Sequence, residues 1–275
     1  MRTKTHLWLG ALGIVLFAIV FLVPFAFILF TAAKTQTEAG ELQFSLPTTW
    51  ALLQNFQDAL AARDYMLVIA FINSIVLTVV SITVLVVLSA MVAHVVQRRR
   101  SRWSGVVNFL VLCGLIIPPA VVPTVWVLQS LGLFKTLTGL IFIEIAFGLA
   151  FCILLFQAFI ATIPRDLDEA AIIDGAGPVR LFFKVIFPLL RSVMVTVIIV
   201  QSVVIFNDFA NPLYFLPGDE NATVQLTVFN FQSQFNTQYN LLFADILLIT
   251  IPPLLLFLFL NKRIVEGMTA GAVKG

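Results

Sequence analysis

In a chain of 275 residues, 60% are hydrophobic and only 11% are charged, far from the roughly 25% charged residues of an ordinary soluble domain. With 16 Lys and Arg and 14 Asp and Glu, no polar shell can cover an apolar core of this size, so soluble enzymes and nucleic-acid-binding proteins are excluded and the chain belongs in a bilayer. The net charge of +2 points to no polyanionic partner, which leaves the placement of charges as the informative quantity.

A membrane-spanning helix needs about 20 apolar residues. The first such stretch, residues 7–30, follows Arg2 and Lys4. Thr31-Ala32-Ala33 offers the small residues of a signal cleavage site, but the stretch is longer than the roughly 7–15 residues of a signal core, so a retained span is expected. Residues 31–69 follow as an external segment with a short helix expected over residues 50–60. The second and third spans, 71–96 and 106–128, flank a basic loop of Arg98, Arg99, Arg100 and Arg102. The fourth, 137–160, leads into a polar loop over 163–188. In the fifth, 185–209, Pro188 and Arg191 shift the apolar centre toward the C-terminal side.

A second external segment, 210–240, opens on Asn211-Pro212, turns at Pro217-Gly218-Asp219 and continues through a polar and aromatic run to Asn236. Loops of this length tend to be functional. The sixth span, 241–260, precedes a tail carrying Lys262, Arg263 and Lys274. Six spans place both termini on one side. Lys34, Arg63 and Lys135 are the only basic residues on the other, so both termini are expected in the cytoplasm. The expectation is an all-α integral membrane protein, one transmembrane domain over residues 1–275, with six transmembrane helices. Cys113 and Cys152 are isolated in apolar runs and read as small core residues, and His6 and His94 are too few for a triad or a metal cluster. No catalytic residue, bound cofactor or metal ion is therefore expected.

Glu144, Asp208 and Asp245 are costly in lipid and are functional candidates by default. Glu144 lies about 10 Å into its span at the helical rise, and the other two lie shallower, so an externally open vestibule would hydrate all three. Gln201, Asn207 and Asn211 add hydrogen-bonding groups of the kind a hydroxyl-rich solute needs once it gives up water. The alternative for Asp208 and Asp245 is a polar interface between subunits or a place near the headgroups.

The loop between the fourth and fifth spans is the most specified part of the chain. Pro164 sits where a helix can start, and Asp166, Asp168 and Glu169 fall near the positive end of the helix dipole. Gly175 and Gly177 end that helix, and Pro178 can open the next. Leu167, Ala170, Ala171 and Asp174 share one face, made mainly of small side chains. Such a face suits docking into a groove on another protein; an interfacial helix lying on lipid is the alternative.

Glu169-Ala170-Ala171, then Gly175, then Val185-Ile186-Phe187-Pro188 at the right intervals resembles the EAA loop of ABC importer permeases, with Val185 and Phe187 in place of the usual Ile and Leu. Asp174-Gly175-Ala176 and the tail from Gly267 to Gly275 are similar to those of carbohydrate-uptake permeases, the tail to the smaller permease subunit of maltose-transporter-type systems. Asn73-Ser74 and Phe206-Asn207-Asp208-Phe209 look like further family landmarks, with Phe206 where Trp is usual. The resemblance covers the chain from about residue 70 onward.

The resemblance implies the type I ABC importer permease fold and a cytoplasmic coupling helix seated in a cleft of an ATPase subunit. Asp168, Glu169, Ala170, Ala171, Asp174, Gly175 and Ala176 would form the coupling site. It also implies a second permease subunit, two copies of the ATPase subunit and an extracytoplasmic solute-binding protein, in a bacterial inner membrane, importing a sugar or oligosaccharide. The 210–240 loop would contact the binding protein. ATP and Mg would sit on the partner ATPase, because the chain carries no Gly-x-x-x-x-Gly-Lys-[Ser/Thr] phosphate loop. The rival reading is an ion-coupled secondary transporter using Glu144, Asp208 and Asp245 as a relay, against which stand the EAA pattern and the lack of an evident repeat pair. Within the first reading Glu144, Gln201, Asn207, Asp208 and Asn211 are the candidates for the substrate path.

Overall fold

The computed structural model describes residues 2–99, 101–218, 220–232 and 237–272, and all regular structure among them is helical. Three continuous helices are long and apolar enough to cross a membrane: Leu12–Ala32 within α1 (Arg2–Ala32), α3 (Leu52–Arg98) and α6 (Leu137–Ile160). Two more apolar stretches are helix pairs bent at a break. α4 (Arg102–Ile116) meets α5 (Val121–Ser130) at 115°, and Pro178–Leu189 meets α10 (Arg191–Phe206) at 74°. A shorter apolar helix, Tyr239–Leu255, opens α13 (Tyr239–Ala272). Among the described residues three to five helices therefore meet the length and apolarity test, against an expectation of six transmembrane helices.

Proline explains the first break. Ile117 is extended, at φ −78° and ψ 121°, as the residue before a proline prefers to be, and Pro118-Pro119 cannot continue the hydrogen-bond ladder of α4. In the second pair α8 (Pro178–Leu181) and α9 (Phe187–Leu189) are joined by a π-helical turn over Phe182–Ile186. The ring of Pro188 would clash with the carbonyl of Lys184 four residues back, and a widened turn there relieves that clash; the bend itself follows at Leu190, at φ −79° and ψ 3°.

The described chain divides into two compact units. The first comprises Met1–Ala70 with Leu226–Ile251. In it α2 (Gln36–Gly40) and the first turns of α3 follow α1. The expected short helix begins at Leu52 and ends where Arg63, Asp64 and Tyr65 all take positive φ, at 48°, 54° and 62°. Asn55 holds the unit together: its Nδ2 donates to the carbonyls of Ala32 (2.7 Å) and Lys34 (2.8 Å), and its Oδ1 accepts from Asn240 Nδ2 at 2.9 Å. Lys34, fully buried, donates from Nζ to the Gln43 carbonyl at 2.7 Å and to Ser45 Oγ at 2.9 Å.

The second unit comprises Phe71–Gln225 with Pro252–Gly275. Its core is built on α6, whose Leu140, Cys152, Phe156 and Ile160 pack with Leu77, Leu85, Ala90 and Ala93 of α3 and with Val197 and Ile205 of α10. Across the unit Gln157 Nε2 of α6 donates to Asn108 Oδ1 of α4 at 2.9 Å. The part of the long external loop in this unit is anchored to α3: Asn73 Nδ2 donates to the Ala222 carbonyl at 3.1 Å, and Ser74 Oγ accepts from the Val224 N–H at 3.0 Å. α11 (Ala210–Phe215) opens that loop, and α12 (Val224–Thr227) lies toward its end. Asp219 and residues 233–236 of the loop lie outside the described residues.

Candidate functional sites

The polar loop forms α7 (Asp166–Ile173), with Asp166, Asp168 and Glu169 in its first turn. Pro164 stands just ahead of the N-cap residue Arg165 rather than inside that turn. Gly175 takes φ +77°, which only glycine adopts without strain. Around it the Ala176 N–H reaches the Ala171 carbonyl at 2.9 Å and the Gly175 N–H reaches the Ile172 carbonyl at 3.0 Å. This pair of bonds is the Schellman closure, which satisfies the end carbonyls of the helix and fixes the angle at which α8 leaves.

The small-residue face expected from the sequence divides in the fold. Ala171 turns inward and joins the core with Ala93, Leu181 and Ile186, and Asp168 is buried beside it. Asp168 Oδ2 lies 2.8 Å from Arg98 Nε, and Arg98 Nη2 donates to the Ile163 carbonyl at 3.0 Å. Arg165 adds a bond from Nη2 to the Gln97 carbonyl at 3.3 Å. The C-terminal end of α3 is thus fastened to the loop from both sides of α7's first turn. Glu169, Ala170, Asp174 and Gly175 stay exposed, and Ala176 is half-buried.

What the outer face carries instead is bulk: Ile172 is 59% exposed and Ile173 85%. The consecutive isoleucines at the end of α7 were a visible signal for this, overlooked because the periodicity argument followed the alanines. The Arg98–Asp168 pairing left no comparable trace in the sequence. A groove of about 600 Å³ runs between these elements, with His94 and Arg98 of α3 on one side and Glu169, Ile172 and Phe182 on the other.

A second, more polar space lies between α6 and α10. It measures about 320 Å³ and is bounded by Glu144, Gln201, Asp208 and Asn211, with the rings of Phe147 and Phe151 beside them. Glu144 Oε1 accepts from Asn211 Nδ2 at 3.2 Å. Asp208 Oδ1 accepts from the Ala210 and Asn211 N–H groups at 2.9 and 3.3 Å, so this carboxylate also shapes the start of α11. Gln201 and Glu144 are both buried. Phe147 and Phe151 went unremarked in the sequence because one turn of α6 looks like any other apolar turn.

Two candidates fall elsewhere. Asn207 does not line this space; its Nδ2 returns to the Val203 carbonyl at 2.9 Å and its Oδ1 accepts from Gln225 Nε2 at 3.2 Å. Asp245 belongs to the first unit, where it is fully buried and its Oδ2 accepts from Thr227 Oγ1 at 2.9 Å, an internal bond that ties α13 to the end of the external loop.

A family model described as a binding-protein-dependent transport system inner membrane component matches residues 85–270. The chain is 32% identical over 267 residues to the probable starch degradation products transport system permease protein AmyC of Thermoanaerobacterium thermosulfurigenes, covering 96% of this chain and 95% of that one. It is 33% identical over 209 residues to the melibiose/raffinose/stachyose import permease protein MelC of Bacillus subtilis, covering 75% and 76%. Among solved structures, a chain of a bacterial ABC transporter involved in the import of the acidic polysaccharide alginate has the same fold, with a TM-score of 0.84 at 19% identity over 95% of this chain and 97% of that one.

Proposed function

This chain belongs to the family of binding-protein-dependent transport system inner membrane components, and from that premise we propose that it is one of two permease subunits of an ATP-driven importer that takes up a sugar or oligosaccharide. The ATPase subunits, two in the assembly, hydrolyse ATP, and one of them receives α7. An extracytoplasmic binding protein delivers the solute, and the 210–240 loop meets it. Both termini face the cytoplasm, the side on which the basic loops lie.

The observation that carries this reading is the outer face of α7. A short helix between long apolar segments leaves Ile172 and Ile173 uncovered beside Glu169, Ala170 and Asp174. An apolar knob with a polar rim is the anatomy of an interface with another protein. ATP-driven closure of the ATPase pair displaces α7, and rigid-body rotation of the helices it is fastened to switches the pathway between inward- and outward-facing states. Along that pathway the space between α6 and α10 offers carboxylate, amide and aromatic groups, the combination that grips hydroxyls and sugar faces. The carbohydrate class is supported further by the names of the relatives, which transport starch degradation products and melibiose, raffinose or stachyose.

The test is uptake into vesicles that hold this chain with its companion subunits and binding protein. Uptake that requires ATP and survives collapse of ion gradients is expected. Uptake that persists without ATP and stops when the gradients collapse would establish the ion-coupled alternative instead.

A further inference from the structure

Two contacts on one helix lie at the two places where the proposed function needs mechanical connection. At its C-terminal end α3 meets the α7 loop through the Arg98–Asp168 ion pair, 2.8 Å long and shielded on both sides, reinforced by the Arg98 bond to the Ile163 carbonyl. Thirteen residues earlier, fully buried Leu85 lies against Gly148 of α6: a Cβ placed on Gly148 would come within 3.0 Å of Leu85 Cδ1 and 3.4 Å of Gln201 Oε1. Gly148 and Gln201 both line the polar space. Thirteen residues at the helical rise amount to about 20 Å. Between Met66 and Arg98 α3 contains neither proline nor glycine, so no kink of that kind interrupts the stretch.

We propose that α3 is a rigid rod that carries movement of the coupling helix to the wall of the polar space, with the Arg98–Asp168 pair as the joint at one end and the Leu85–Gly148 contact as the bearing at the other. The proposal rests on the reading of this chain as an ATP-driven permease. Arg98 and Asp168 are positioning residues in it and touch neither solute nor nucleotide. The joint is suited to transmit force because the ion pair is short and shielded from solvent at both partners. Arg98 is held by a carboxylate and a backbone carbonyl, and Asp168 lies in the first turn of α7, which the core packing of Ala171 anchors. Packing alone would let α7 slide over α3. A short ion pair with a hydrogen bond beside it resists sliding.

The experiment uses the complete complex in vesicles, reading ATP hydrolysis and solute uptake together. Asp168→Asn is expected to lower the solute moved per ATP hydrolysed by about tenfold, within the range of ordinary coupling free energies, while the assembled complex keeps hydrolysing ATP. Asp168→Glu should restore most of the ratio, and so should the charge-exchanged double variant Arg98→Glu with Asp168→Arg, which decides the matter if the single variant fails to assemble. An unchanged ratio in Asp168→Asn, or a charge-exchanged complex that assembles with no recovery, overturns the rod. An unsubstituted complex whose uptake ignores ATP overturns the transport reading itself, a result distinct from failure of the joint.

Discussion

Replacing Ile173 with alanine isolates the outer face of α7 from everything else in the chain. The side chain is 85% exposed, so the substitution removes little internal packing, and the stability of the permease itself should be unaffected. In the proposed complex the ATPase subunit would cover the same side chain. Deleting three carbons at about 0.8 kcal/mol each, scaled by the fraction left to be buried, forfeits about 2 kcal/mol of association. That corresponds to roughly 30-fold weaker binding of the ATPase. Ile172, 59% exposed, should give about tenfold by the same reasoning. The assay is equilibrium binding of the detached ATPase subunit to the purified permease pair in detergent or nanodiscs, alongside thermal unfolding of the pair alone. Wild-type affinity in both alanine variants would refute the idea that this face docks. A loss of stability in the unbound pair would show that the isoleucines belong to the permease's own packing instead.

Three further substitutions probe other parts of the chain. Glu144→Gln keeps an acceptor for Asn211 Nδ2 but removes the charge, so uptake kinetics should change severalfold while the complex assembles normally; solute uptake against concentration measures this, and unaltered kinetics would take Glu144 out of the path. Ser74→Ala removes the hydroxyl that accepts from the buried Val224 N–H, at a cost of about 0.5–1.5 kcal/mol, which should appear as a lower Tm and as faster proteolysis within the external loop. Asn55→Ala removes two donated bonds and one accepted bond inside the first unit; a loss of about 2–4 kcal/mol is expected, larger than that of Ser74→Ala, and the order of the two Tm values checks it.

The membrane class and the helix and turn of the α7 loop were legible because each rests on local chemistry. Apolar length declares a span, and Gly175 at the end of a capped helix declares a turn wherever the rest of the fold lies. Convergence of Glu144, Gln201, Asp208 and Asn211 on one space was only suggested, since three of them sit on segments whose relative rotation the sequence does not state. No bend was predicted in the third or fifth span. Pro118-Pro119 and Pro188 are visible signals, but hydropathy averaging hides a break inside an apolar run. The inward turn of Asp168 was not legible at all. A carboxylate in the first turn of a helix is accounted for by the dipole, and nothing local signals that an arginine 70 positions earlier will claim it.

That inward turn changes how the loop's residues divide their labour. If the coupling loop were only a docking surface, its acidic residues should point outward together, and the helix behind it could be packed by any apolar face. Instead the first turn of α7 splits, with Glu169 exposed and Asp168 buried against Arg98. One carboxylate is left exposed and the adjacent one is held by the chain itself. Burying an ion pair gains little net stability over apolar packing, so stability alone is a weak reason for placing one there. What it adds to apolar packing is a short, fixed separation between α7 and α3, at a place where the proposed movement of α7 would pass into the membrane-spanning part of the protein.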